Sequence, residues 1–142
     1  MNTKQLAYNK AIKVIEACTK STGLYASGLK GGYEATWARD SMITSLGASL
    51  VDNKFKAVIA KSIDLLAENQ AEMGQIPNCV GSYNLDRKSD VTFNSVDSSL
   101  WFIIGNFVYA EKFKDRSLIK KYSKQLIKTL WWLRAQDPDN LG

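Results

Sequence analysis

Asn94-Ser95-Val96-Asp97-Ser98-Ser99-Leu100-Trp101-Phe102-Ile103-Ile104 begins polar and turns continuously apolar, with one carboxylate, Asp97, at the junction. The apolar run continues through Gly105, Phe107, Val108, Tyr109 and Ala110 before charge returns at Glu111. A helix that is apolar on nearly every face has to be surrounded by protein. With 142 residues in all, the chain has little material to surround it. An inner helix in a layered, all-helical array is the reading that fits.

The flanking sequence supplies one-sided helices. Residues 3–20 place Ala7, Ala11, Val14, Ile15 and Cys18 on one face, with Lys10, Lys13, Glu16 and Lys20 opposite. Residues 54–72 place Phe55, Val58, Ile59, Ser62, Ile63 and Leu66 on a stripe, with Lys54, Lys61, Asp64 and Glu68 outward. A fifth helix, 117–135, points Ile119, Tyr122, Leu126, Leu130 and Leu133 inward. The second helix, from Trp37 to about Val51 with Thr36 as N-cap, resembles the opening stretch instead: its only charges are Arg39 and Asp40, in the first turn. Outer and inner helices therefore alternate. Long loops precede both inner helices (residues 21–35, with Gly23, Gly28, Gly31 and Gly32, and residues 73–94, around Gly74, Pro77, Gly81 and Asp86-Arg87), and short turns follow them. No period-2 strand pattern runs for any useful length. The expected class is all-α, a hairpin array of about five helices whose inner members run parallel. Arg39, Asp40 and Asp97 then share one end with the two loops.

Composition narrows the function. The formal net charge is +5, but the basic residues fall at helical spacing on two outer helices, as on a solvated face, and do not interleave with aromatics as a nucleic-acid site would require. No apolar run reaches the roughly 18 residues of a membrane span, and no apolar signal core follows Met1. The chain has no histidine, which removes His-based nucleophile activation and His metal ligands. Cys18 and Cys79 lack CxxC spacing, and a reduced, cytoplasmic setting is the simplest reading. Neither metal nor organic cofactor is expected.

Four segments resemble a known family. Trp37-Ala38-Arg39-Asp40-Ser41-Met42 looks like the Trp-x-Arg-Asp segment of the six-hairpin (α/α)6 toroid glycoside hydrolases, which include glucoamylases, neutral/alkaline invertases and the glucosidase domain of glycogen-debranching enzymes. Gly74-Gln75-Ile76-Pro77-Asn78 is similar to the Gly-x-Ile-Pro-Asn of the debranching group, and Val96-Asp97-Ser98-Ser99-Leu100-Trp101 to the Val-Asp-(Ser/Ala)-x-Leu-Trp that group shares with the invertases. Gln136-Asp137-Pro138-Asp139-Asn140-Leu141-Gly142 resembles the loop that leads into the next inner helix.

The resemblance implies inverting hydrolysis of terminal glucosyl units of α-glucans or oligosaccharides, closest to an amylo-alpha-1,6-glucosidase. One protonated carboxyl serves the glycosidic oxygen, and an ionised one roughly 6.5–9.5 Å away activates water. It implies that Asp97 is the acid and that Arg39 and Asp40 hold hydroxyls of the terminal sugar, by charge-assisted hydrogen bonds. Trp37 and Trp101 would wall that subsite, and Asn78 would add an amide; from their place in the glycine loop, and not from the resemblance, Tyr25 and Tyr33 could stack on a sugar. The general base of such enzymes is a Glu far nearer the C-terminus. Residues 1–142 are therefore expected to form the N-terminal part of one toroid domain, inactive alone and completed by further chain or a partner. From the residues themselves, each assignment keeps a plain alternative. Asp97 could cap its helix, Arg39 and Asp40 could form a first-turn ion pair, and the tryptophans and tyrosines (Tyr25 included) could simply pack. Glu34 is a second carboxylate candidate that no family segment supports, and Trp131-Trp132 reads as packing between helices. The contrasting function is a non-catalytic helical module that binds a glycan or a partner protein through its open apolar face.

Overall fold

A computed structural model describes residues 2–31, 33–81 and 89–139. Met1, Gly32, the Asp86-Arg87 portion of the long loop and the terminal Asn140-Leu141-Gly142 lie outside the described residues. The chain is an array of helices: α1 (Thr3–Cys18), α2 (Ala38–Ala48), α3 (Lys56–Glu68), α4 (Asp97–Phe113), α5 (Ser117–Lys121) and α6 (Ser123–Ala135). Three two-residue strands, β1 (Thr36–Trp37), β2 (Cys79–Val80) and β3 (Val91–Thr92), form an antiparallel sheet in the order β1-β2-β3. The register pairs Trp37 with Cys79 and Cys79 with Thr92. Strands this short leave no alternation to read in the sequence.

The core forms where α2, α3 and α4 meet. Phe55, Val58, Ile59, Ser62, Ile63 and Leu66 are all buried, which is the stripe that helical spacing marks on α3. Each such large apolar side chain contributes about 1.5–3 kcal/mol on full burial. Ala38, Met42, Ser45 and Ala48 of α2 and Phe102, Gly105, Asn106 and Tyr109 of α4 are buried, and α2 and α4 share the most extensive contact between elements among the described residues, with Met42 against Gly105. A methyl group added at Gly105 would overlap the Met42 sulfur, so the Met42 side chain packs onto α4 at a point where glycine has no side chain.

Both inner helices keep one bare apolar face. On α2 it is Ile43, Leu46 and, just past the helix, Leu50; on α4 it is Leu100, Ile104 and Phe107. The spacing of three and four puts each trio on one stripe.

Four local expectations change. No residue of α1 is buried; of the expected face, Ala7, Ala11 and Val14 are exposed while Ile15 packs against the core and Cys18 is half-buried, and Ile12 joins Ile15 there. Thr36 is not the α2 cap. It lies in β1 with its hydroxyl buried and unpartnered among the described residues, and the first helical amide, Ala38 N–H, donates to Asn78 O at 3.0 Å. The expected fifth helix is broken at Tyr122, whose hydroxyl donates to Asp64 Oδ1 at 2.6 Å. Burial is the main cause that pushes the Tyr122 phenol up to about 12. Leu130, expected inside, is exposed.

Candidate functional site

The two inner helices start at the same end of the molecule. Arg39, in the first turn of α2, donates from Nε to Oδ2 of Asp97, the first residue of α4, at 2.5 Å. Asp97 does not cap its helix: Val96 occupies the N-cap position, and no side chain caps there. The pair is open to solvent, with side-chain exposures of 57% for Arg39 and 32% for Asp97.

The hydrogen bond from Arg39 holds the Asp97 carboxyl below its ordinary range; burial opposes it, and a hydrogen bond from the Ser95 hydroxyl adds to it. The same contact raises the Arg39 guanidinium. In this arrangement Asp97 is an ionised hydrogen-bond acceptor, and a helix N-terminus stabilises that charge further.

The other expected site residues have these places. Asp40 is exposed beside Arg39. The two share a concavity of about 310 Å³ between α1 and α2, with Cys18, Tyr25, Ile43 and Thr44 in its lining. Burial raises the Cys18 thiol, with Lys20 opposing. Trp37 ends β1 and meets Tyr33 edge-on, with ring centroids 5.5 Å apart and planes at 76°. Tyr33 is 57% exposed, so one face of this aromatic corner remains open. Trp101, one turn into α4, is half-buried against the core. Glu34 accepts from Gly31 N–H at 3.0 Å and so serves its own loop.

Asn78 sits lower and does more structural work than its sequence context implies. Its side-chain carbonyl accepts from Asn94 N–H at 2.9 Å, its own N–H donates to Thr92 O at 2.8 Å, and its backbone carbonyl accepts the first α2 amide. One residue thus ties the entry of α2 to the entry of α4. Gln75, Ser95 and Ser99 were not among the sequence candidates. Gln75 Nε2 donates to Phe93 O at 3.1 Å, and Ser99 Oγ accepts from Ile76 N–H at 3.1 Å. The available signal was the Gly-x-Ile-Pro-Asn segment and the polar run before Leu100, whose partners no spacing rule connects.

Among the described residues, no three of His, Cys, Asp and Glu cluster as metal ligands would, and no helix is long and apolar enough to cross a membrane. Chemically, the arrangement offers a carboxylate with a switchable cationic partner, an exposed second carboxylate and an aromatic corner. That set suits hydrogen bonding to a polyol. A family model described as amylo-alpha-1,6-glucosidase matches residues 7–132. No curated protein and no solved structure matches the chain.

Proposed function

The chain belongs to the amylo-alpha-1,6-glucosidase family, and on that premise we propose that it supplies the acid half of an inverting glucoside hydrolase. The substrate is a terminal glucosyl unit of an α-glucan or oligosaccharide. The observation that carries this reading is the Arg39–Asp97 pair at the common N-terminal end of α2 and α4.

Asp97 gives its proton to the glycosidic oxygen. A general acid must hold that proton near neutral pH, and Arg39 prevents it in the sugar-free chain. The exchange that resolves this is direct. Sugar hydroxyls accept the guanidinium donors, Arg39 leaves the carboxylate, and burial under the substrate raises the Asp97 pKa. Asp40 takes a neighbouring hydroxyl. Tyr33, Trp37 and Trp101 form the apolar wall, and the Asn78 amide borders it. Neither a metal nor an organic cofactor is needed for proton transfer between two carboxyl groups and water.

The base comes from protein outside residues 1–142, in further chain or a partner. The bare stripes Ile43–Leu46–Leu50 and Leu100–Ile104–Phe107 support this, because continuous apolar faces on inner helices call for cover. Closing the array into an (α/α)6 toroid would supply both cover and base. The 142 residues alone would not turn over substrate, and the setting is cytoplasmic.

The test is the anomer released. The natural full-length protein, given an oligosaccharide with a terminal α-1,6-linked glucose, should release β-glucose first, followed by proton NMR. Initial release of α-glucose would overturn inversion. The ionised state of Asp97 favours a second reading, a glycan-binding module; saturable glycan binding with no hydrolysis would select it.

A further inference from the structure

The segment 74–78 has an effect on Asp97 that its distance in sequence conceals. It is fixed at several points. Gly74 adopts φ +104, and any side chain there would overlap the Lys128 carbonyl. Gln70 Nε2 donates to Gly74 O at 2.9 Å, and Ala71 N–H donates to Gln75 O at 2.9 Å. Ile76 and Pro77 are fully buried. From this rung the Gln75 amide reaches across to the strand that enters α4. Its nitrogen donates to Phe93 O at 3.1 Å and, at a longer 3.5 Å, to Ser95 O. A primary amide carries two hydrogens and can serve two carbonyls at once. Asn78 holds the residue between them by accepting from Asn94 N–H.

Ser95, at the end of this clamp, is two residues before the carboxylate. Its hydroxyl lies 2.6 Å from Ser98 Oγ, on the residue that follows Asp97, and helps hold the Asp97 carboxyl low. We propose that Gln75 is a positioning residue: by fixing residues 93–95 it holds the Ser95–Ser98 hydroxyl pair that brackets Asp97 and keeps the carboxylate in register with Arg39. Neither Gln75 nor Ser95 touches the sugar in this role; both act through the carboxylate. The charged groups around Asp97 are Arg39 and, acting through Arg39, Asp40, both on α2. The segment that enters α4, residues 93–96, brings no charged group, so its effect is one of geometry rather than charge.

The catalytic meaning rests on Asp97 being the acid, but the positioning is measurable without turnover. The readout is the titration midpoint of the Asp97 carboxyl carbon, by carbon-13 NMR on the natural full-length protein, assigned by its loss in Asp97→Asn. Gln75→Met keeps the length and removes both donors. It should raise the midpoint by about half a unit or more, since an ionised carboxylate loses donors. Ser95→Ala should shift it in the same direction, and the double variant should move it no further than the larger single effect, as two steps on one path require. An unmoved midpoint in Gln75→Met, with only the melting temperature lowered, would make Gln75 a loop-stabilising residue and overturn the proposal. If Gln75→Met does not fold, Ser95→Ala decides: an unmoved midpoint there removes the last link of the path. Failure of the acid assignment reads differently, as normal turnover in Asp97→Asn, and leaves the midpoints standing.

Discussion

Arg39 Nε and Asp97 Oδ2 lie 2.5 Å apart although 58 residues separate them in the chain. Because each opens its helix, the contact requires α2 and α4 to start side by side and makes the inner layer parallel. The start of α4 and a guanidinium then converge on one carboxylate, and both favour its charge. The sugar-free state is therefore set against proton donation, and a ligand that engages Arg39 removes the larger of these influences.

Asp97→Asn tests the acid role. The amide keeps the size of the side chain and can still accept from Arg39. Turnover by the full-length protein should fall about 10²- to 10⁴-fold, the usual contribution of a general acid. The melting temperature should change little, because the pair is solvent-exposed and such pairs contribute only about 0–1 kcal/mol. Turnover close to the natural protein's would sink the assignment.

Arg39→Ala tests the restraint. With the guanidinium gone, the Asp97 midpoint should move up toward its ordinary 3.8, as carbon-13 NMR would show. The same variant should raise KM, because sugar hydroxyls lose a bidentate donor. Arg39→Lys should not restore KM, since an ammonium lacks the planar fork. A midpoint that stays depressed in Arg39→Ala would shift the cause to Ser95 and the start of α4.

The parts of this architecture readable in sequence are those that depend on local spacing. The α3 stripe is such a part, because one element's own periodicity determines which side is buried. The first-turn location of Arg39, Asp40 and Asp97 is another, since each sits where a polar loop meets an apolar run. What escaped depends on distant partners. The break at Tyr122 has no Gly or Pro to announce it, and it coincides with a hydroxyl that reaches Asp64 on α3. The cap of α2 is a backbone carbonyl at Asn78, which leaves no trace in residue type. Of the α1 stripe, Ala7, Ala11 and Val14 are apolar in sequence yet exposed in the fold, and only Ile15 and Cys18 are partly covered. Periodicity specifies a face, not what covers it.

Acidification should weaken the fold at a second pair. Lys56 Nζ lies 2.8 Å from Asp115 Oδ2, and Ser117 N–H donates to Asp115 Oδ1 at 3.0 Å. The Lys56 contact, followed by Ser117, holds the Asp115 carboxyl far below its ordinary 3.8. A carboxyl depressed in the folded state contributes stability above its unfolded pKa and loses it as pH falls through the folded one. The contribution is thus intact at neutral pH and declines below about pH 3.8, with Asp97 adding to the slope in the same direction. Melting temperature measured against pH should show this decline. Asp115→Asn should lower the neutral plateau and flatten the acid limb. An equally steep limb in that variant would place the acid sensitivity elsewhere.

Gly105→Ala should destabilise the chain, against the usual preference of helices for alanine. In a helix interior that exchange ordinarily gains about 0.5–1 kcal/mol. Here the new methyl overlaps the Met42 sulfur in the contact that sets α2 against α4, and overpacking typically costs about 1–3 kcal/mol. The buried Met42 side chain has to leave its place, or the two inner helices have to part. A double-mutant cycle separates packing from propensity. Met42→Ala alone leaves a cavity and costs roughly 2–5 kcal/mol. On that background Gly105→Ala meets no sulfur, and the change should turn stabilising. Denaturant unfolding of the four proteins measures the reversal, and the same sign in both backgrounds would show that Gly105 is not what lets Met42 pack onto α4.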